Sequence, residues 1–169
     1  MTDRTKPLSA ADASFVAFVE SAWQRHVRLA VLLTGNRAQA EELLQDSLVR
    51  MYERWRKLSR RDDLHAYLRR ALVNNHTSVW RRRRRENLVA EVPERVASQH
   101  NPDLEVTQAL AALPPGQRAV VVLRLYEDLS EQQAAAALGC SVGNVKSQYA
   151  RALDKLRSLV REPSFGRNR

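Results

Sequence analysis

Only one cysteine, Cys140, occurs in the 169 residues, so no disulfide can close within the chain and a reducing compartment fits. No apolar run approaches the roughly 18 residues that a membrane span requires. The opening residues, MTDRTKPLSAADA, carry no apolar signal-peptide core, and these absences together lead us to expect a cytoplasmic protein. Glycine (5) and proline (6) are scarce and β-branched alternation is weak, which argues against a sheet protein. His26, His65, His76 and His100 are scattered, and none pairs with Cys140 at zinc-site spacing, so no metal and no other cofactor is expected. A glycine-rich phosphate loop and a G-x-S-x-G elbow are also missing. Catalysis has no foothold here, and a non-enzyme is expected.

What is present is helix-forming material and positive charge. Hydrophobic residues make up 44% of the chain, enough for real cores, and Ala, Leu, Arg and Glu dominate, so the fold class expected is all-α. The net charge is +9 and unevenly placed. Residues 1–85 hold 18 Lys/Arg against 9 Asp/Glu, residues 86–106 hold 1 against 5, and residues 107–169 hold 9 against 5. Two basic blocks thus flank an acidic connector. Such a surface calls for a polyanionic partner, with nucleic acid ahead of an anionic membrane.

Periodicity divides the chain into two small helical domains. Phe15, Phe18, Val19, Trp23, Val27 and Ala30 recur at helical steps and predict a first helix over 12–34. Gly35 supplies a stop and Asn36, with Gln39 three residues on, a start. Ala40, Leu43, Leu44, Ser47, Leu48, Met51 and Trp55 predict a second helix over 37–58, and Leu64, Tyr67, Leu68, Ala71, Leu72 and Val79 a third over 64–86. The N-terminal bundle is expected over 10–88 and an acidic linker over 89–106. A four-helix C-terminal domain is expected over 107–162, with short helices from 107 and from 115 to 126. In that domain Ser130 with Gln133 fits a capping box before an alanine-rich helix, Gly139 ends it, and Ser141 starts a last helix over 142–161.

A short helix, a glycine turn and a longer helix with a polar face make a helix-turn-helix, whose second helix enters the DNA major groove. Val142, Val145, Tyr149, Leu153, Leu156 and Val160 predict its inward stripe, and Asn144, Lys146, Ser147, Gln148 and Arg151 its outward face. Asn and Gln match adenine edges, and Arg matches guanine or phosphate. Gly143 leaves the helix start open to a phosphate. Cys140 in the turn reads as a small core residue.

The stretch LPPGQRAVVVLRLYEDLSEQQAAAALGCSVGNVKSQYARALDKLR (113–157) closely resembles the −35-binding domain of bacterial RNA polymerase sigma factors. AEELLQDSLVRMYERW (40–55) resembles their core-polymerase-binding helix, and AYLRRALVNNHTSVWRRRRRE (66–86) the segment that opens and reads the −10 element. Two modules on a short linker match the small extracytoplasmic-function group, in an actinobacterial flavour similar to its sigma-E-like branch. The resemblance implies that Gln45, Asp46, Arg50, Met51, Glu53 and Arg54 dock on the β′ clamp helices of core polymerase, although Met51 also suits the bundle core. It implies that Ser59, Arg60, Arg61, His65, Asn74, Asn75, Thr77 and Ser78 hold flipped −10 bases, and that Arg81, Arg82, Arg83, Arg84 and Arg85 meet phosphates. It assigns Gly143, Asn144, Lys146, Ser147, Gln148 and Arg151 to the −35 major groove.

The partners implied are core RNA polymerase, through the β′ clamp helices and β flap, and promoter DNA. An anti-sigma factor is a partner of many relatives and is admitted here; no membrane is. The acidic linker, with Glu86, Glu91, Glu94, Asp103 and Glu105, either threads a basic polymerase channel or quiets the basic modules as a tether. The strand-separating aromatic face of housekeeping relatives is missing, and Trp80 suits stacking and packing equally. A stand-alone helix-turn-helix regulator is the alternative reading.

Overall fold

Ser9 opens the first helix, α1 (Ala10–Thr34), with a reciprocal box in this computed structural model of the protein. The Ser9 hydroxyl accepts the Asp12 N–H at 3.1 Å, and the Asp12 carboxylate accepts the Ser9 N–H at 3.2 Å. The structure describes residues 7–58, 63–85 and 102–161, except that side chains 79–85, 102–104, 160 and 161 fall outside the description. Ser59, Arg60 and Arg61, the acidic stretch 86–101, and the side chains of Trp80 and of Arg81 to Arg85 therefore lie outside the described residues.

Gly35 closes α1 at φ 74°, donating its N–H to the Val31 carbonyl at 2.7 Å. Only glycine suits this position twice over, because a Cβ there would also sit 3.3 Å from Ala111 Cβ. Asn36 Oδ1 then accepts the Gln39 N–H at 3.1 Å and starts α2 (Arg37–Glu53).

The expected unbroken helix to residue 58 is not formed. Arg54 leaves helical geometry, and one separate turn follows as α3 (Trp55–Leu58). The break has a packing reason. It delivers Trp55 into the core at 3% exposure, between Phe15 and Phe18, with its indole N–H donating to Ser14 Oγ at 2.9 Å. Asp63 Oδ1 accepts the Ala66 N–H at the start of α4 (Leu64–Arg85).

Past the acidic stretch, α5 (Pro102–Ala111) begins five residues earlier than the sequence expectation, with proline in its first turn. The next helix, α6 (Pro115–Val121), continues into a π-helical turn over Val122–Tyr126 where plain α-helix was expected. Ser130 and Gln133 form the expected box at α7 (Glu131–Leu138), with bonds of 3.1 and 2.8 Å. Gly139 ends α7 at φ 64°, and Ser141 Oγ accepts the Asn144 N–H to begin α8 (Val142–Arg161). Every regular element among the described residues is helical, as expected.

The two expected modules touch. Helix α1 packs on α2, α4 and α5, and α4 packs on α6 and α7, so the buried apolar residues form one continuous cluster. Arg118 is the polar tie in that cluster. It is 9% exposed, and its guanidinium donates to Leu33 O and Leu110 O at 2.8 Å, Ala111 O at 3.0 Å and Leu113 O at 3.1 Å. Three of these carbonyls lie at the ends of α1 and α5, where helices leave acceptors unpaired, and the Leu113 carbonyl lies in the turn after α5. Burial lowers the Arg118 pKa, yet guanidinium stays charged at neutral pH.

Arg118→Met keeps apolar bulk but strands four buried acceptors. It should cost about 2–4 kcal/mol in urea unfolding, because stranded acceptors cost about 1–3 kcal/mol each while the desolvation of the guanidinium is recovered. A loss under about 1 kcal/mol would show that water replaces the guanidinium without penalty.

Candidate nucleic-acid interface

The helix-turn-helix is built from α7, the turn at Gly139–Ser141, and α8. Ala134, Ala135 and Ala137 of α7 are buried, and small side chains there let α8 approach closely. Helix α8 answers with Val145 and Ala152, both fully buried, flanked by half-buried Val142, Tyr149 and Leu156. Ala152 was not in the expected stripe, whereas Val145 was. Arg124 lies 5.6 Å from the Tyr149 ring centroid and donates to the Leu129 carbonyl, which pins α8 to the preceding turn. The Cys140 thiol is free and half-buried against the core.

With that stripe inward, Gly143, Asn144, Lys146, Ser147 and Arg151 are exposed and Gln148 is half-buried. Lys146 Nζ stands 3.6 Å from Glu131 Oε2, an exposed pair that a phosphate could displace at small cost. No side chain crowds Gly143; the nearest atom to a Cβ there would be Ser141 Oγ at 3.9 Å. The first turn of α8 is therefore open to a ligand.

In the N-terminal half, Gln45, Asp46, Arg50 and Glu53 are exposed on α2, and Arg54 is exposed just past its end. Val49 (59% exposed) and Tyr52 (48%) lie among them, an apolar element the sequence reading passed over. Met51 is fully buried, so it serves the core and cannot touch a docking partner. Between α2 and α4 runs a groove of about 430 Å³, lined by Arg50, Glu53, Arg54, Tyr67, Ala71, Asn74, Asn75 and Ser78. That volume lies within the roughly 300–1,000 Å³ of small-ligand clefts.

The residues assigned to the −10 element do not form one surface. At 3.6 residues per turn, Tyr67, Asn74 and Ser78 sit roughly 140–180° around α4 from Arg69, whereas His65 lies about 40° from it. Asn74 and Ser78 are exposed at the groove. Asn75 is only 6% exposed, and its amide donates to buried Ser47 Oγ at 3.1 Å, so most of its polarity is used inside the bundle. The Thr77 hydroxyl donates to Val73 O at 2.8 Å. His65 turns inward, stacking on His26 and packing against Phe18.

Comparison with known proteins agrees with this layout. Residues 18–86 match the family described as Sigma-70 region 2, and residues 103–156 the family described as Sigma-70, region 4. The RNA polymerase sigma-E factor of Streptomyces coelicolor is 38% identical over 148 residues, covering 85% of this chain and 84% of that protein. The chain belongs to the sigma-70 family of RNA polymerase sigma factors. The ECF RNA polymerase sigma factor EcfG of Rhodopseudomonas palustris is 34% identical, covering 78% of this chain and 76% of its own. Among solved structures, a sigma factor RpoE from Bartonella quintana, crystallised with the anti-sigma factor NepR, superposes with a TM-score of 0.68. It is 27% identical, with 88% of this chain and 97% of that chain covered. As a sigma factor the protein directs RNA polymerase to promoters, which is the function the sequence resemblance implied.

Three groups of this sigma factor escaped the sequence reading. Arg118 is one. The second is Glu127, whose side chain is 2% exposed and whose Oε2 accepts from Arg69 Nη1 at 2.8 Å and Arg25 Nη2 at 3.3 Å. The third is His26, 1% exposed, with Nε2 at 3.1 Å from His65 Nδ1. Each has at least one partner far away in sequence, which no local spacing announces. No helix among the described residues is long and apolar enough to cross a membrane.

Burial lowers the His26 pKa to about 4, with His65 beside it adding to the effect. The unfolded chain therefore binds more protons than the folded one between about pH 4 and 6.5. Stability should be unaffected by this group above pH 6.5 and fall as pH drops towards 4. Urea unfolding across that window should show the decline, and His26→Gln should flatten it. An unchanged slope in the variant would assign the decline elsewhere.

Proposed function

We propose that the exposed face of α2 docks on the β′ clamp helices of core RNA polymerase, and that the α2–α4 groove holds a flipped non-template base of the −10 element. The first turns of α8 then read the −35 element in the major groove. Gln45, Asp46, Arg50, Glu53 and Arg54 are the docking residues, with Val49 as their apolar centre. Asn74 and Ser78 supply hydrogen bonds at the groove wall, with Tyr67 for ring contact. Unstacking a base costs a few kcal/mol, which a lined pocket offsets better than a flat surface. Asn144, Ser147, Gln148 and Arg151 are the base readers, and Lys146 and the open backbone at Gly143 are suited to phosphate.

The observation that carries this reading is the pairing, in one chain, of an open groove and a capped recognition helix whose polar face is solvent-facing. Neither half makes or breaks a bond; nucleotide transfer belongs to the polymerase, and the protein works where the polymerase does, in the cytoplasm. The β flap is the expected second contact, for the C-terminal half. An anti-sigma factor is a further proposed partner, since the Bartonella quintana sigma factor is bound by one.

Run-off transcription with purified core polymerase on fragmented host DNA tests this. The protein should produce specific transcripts. Asn74→Ala and Arg151→Ala should each reduce them by roughly 5- to 150-fold, the worth of one good base contact. No stimulation, with nanomolar DNA binding by the protein alone, would replace the sigma mechanism with that of a stand-alone regulator.

A further inference from the structure

The docked arrangement cannot span a promoter. Helix α8 packs on α7 and α7 on α4, so the axes of α8 and α4 lie at most two packing distances, about 20 Å, apart, and readers on their outer faces about 30 Å. Elements about 25 base pairs apart lie roughly 85 Å from each other along DNA at 3.4 Å per step. The modules must part on the promoter, and the contacts that cross between them must break.

Among the described residues, Glu127 makes ion pairs that must break. One carboxylate oxygen is shared by two guanidiniums, Arg25 from α1 and Arg69 from α4. The surrounding backbone is bent to present it. The Glu127 N–H closes the π-helical turn on Val122 O at 3.1 Å, and Asp128 immediately after it holds a left-handed φ of 50°. Once the C-terminal module leaves, Arg25 and Arg69 lose this shared anion. Two guanidiniums converging on one point match phosphate as they match carboxylate. Arg25 is 54% exposed even in the closed state, so the site opens to solvent on one side. Arg69 lies within the segment 66–86 that the family resemblance assigns to −10 DNA, on the face of α4 opposite Asn74 and Ser78.

We propose that Arg25 and Arg69 form a phosphate-binding site that Glu127 occupies in the closed molecule and that the DNA backbone takes over when the modules part. Glu127 is then an internal competitor for DNA. It holds the molecule shut and its own phosphate site filled until a DNA strand displaces it. The inference rests on the reading of the protein as DNA-binding, but not on the polymerase.

The test uses the full chain, a fluorescent duplex of arbitrary sequence and no polymerase, so its failure is distinct from failure of the transcription assay. Small-angle scattering reports opening, and anisotropy across a salt series reports phosphate contacts. Glu127→Gln should expand the protein and steepen its salt dependence by about one phosphate. That corresponds to roughly a 3- to 4-fold extra loss of affinity between 50 and 200 mM salt. Arg69→Gln should expand it equally without the steeper slope, since it removes latch and site together. Exchanging the charges, Glu127→Arg with Arg69→Glu, should restore compactness and withhold the slope, which guards against a variant that merely misfolds. Equal slopes in Glu127→Gln and Arg69→Gln would overturn the phosphate site, and a compact Glu127→Gln would overturn the latch. Inorganic phosphate at matched ionic strength should leave the DNA gain intact; competition by it would reassign the site to a small anion.

Discussion

A single buried guanidinium decides how the two halves of this sigma factor meet. Arg118 accepts the desolvation of a full charge because four carbonyl oxygens converge on it, at the C-terminal ends of α1 and α5 and in the turn after them. Those ends carry the negative pole of the helix dipole, so the charge answers a field as well as unpaired acceptors. Three of the four bonds stay within the C-terminal half, to Leu110, Ala111 and Leu113, and one crosses to Leu33. Separation of the halves therefore strands one hydrogen bond of Arg118, while its role inside the C-terminal module survives. Gly35, which brings the end of α1 within reach of Ala111, is the backbone counterpart of the same junction.

From Arg118 the constraint passes along one continuous element. Helix α6 starts at the fixed junction and runs into the π-helical turn, where Val122 and Leu123 are buried and Leu129 N–H returns to Leu123 O at 3.0 Å. The wider turn lets Arg124 reach both the Leu129 carbonyl and the Tyr149 ring. The start of α7 and the roll of α8 are set in this way. Had the helix continued with plain α geometry, Glu127 would point elsewhere and neither Arg25 nor Arg69 would meet it. The polar face of α8 is outward because Val145 and Ala152 are inward, and they are inward because the turn ahead of them is pinned.

What could be read in the sequence was local. The caps at Asn36, Ser130 and Ser141 act over three residues, so spacing alone reveals them. The Ser9–Asp12 box had the same signal but lies ahead of the first apolar step, at position 15, and went unread. The break at Arg54 was hidden because Trp55 keeps helical register with Met51 while needing Ser14, 41 residues away, for its indole. Asn75 looked like a base reader for the same reason: its partner, Ser47, lies on another helix. The resemblance assigned His65 to −10 bases, yet a stacked histidine partner 39 residues earlier draws it inward. Asn75 and His65, which have long-range partners, turn inward, whereas Asn74, Asn144 and Arg151 are exposed.

The two faces of α4 give the closed form a specific meaning. The groove with Asn74 and Ser78 lies on the side turned away from Arg69, and the C-terminal half docks on the Arg69 side. Closure therefore does not cover the groove. On the proposed reading, a flipped base enters while the modules remain together, and both elements are held only after they part. The docked state then limits how far the protein reaches along DNA rather than whether it can touch DNA at all. On this view the energy of the Glu127 contact sets how much promoter and polymerase binding is needed before the second element is engaged. A weak single-site complex would stay closed, and only a match at both ends would hold the open form. On the proposed reading, selectivity for two correctly spaced elements then arises in part from an ion pair that reads no base.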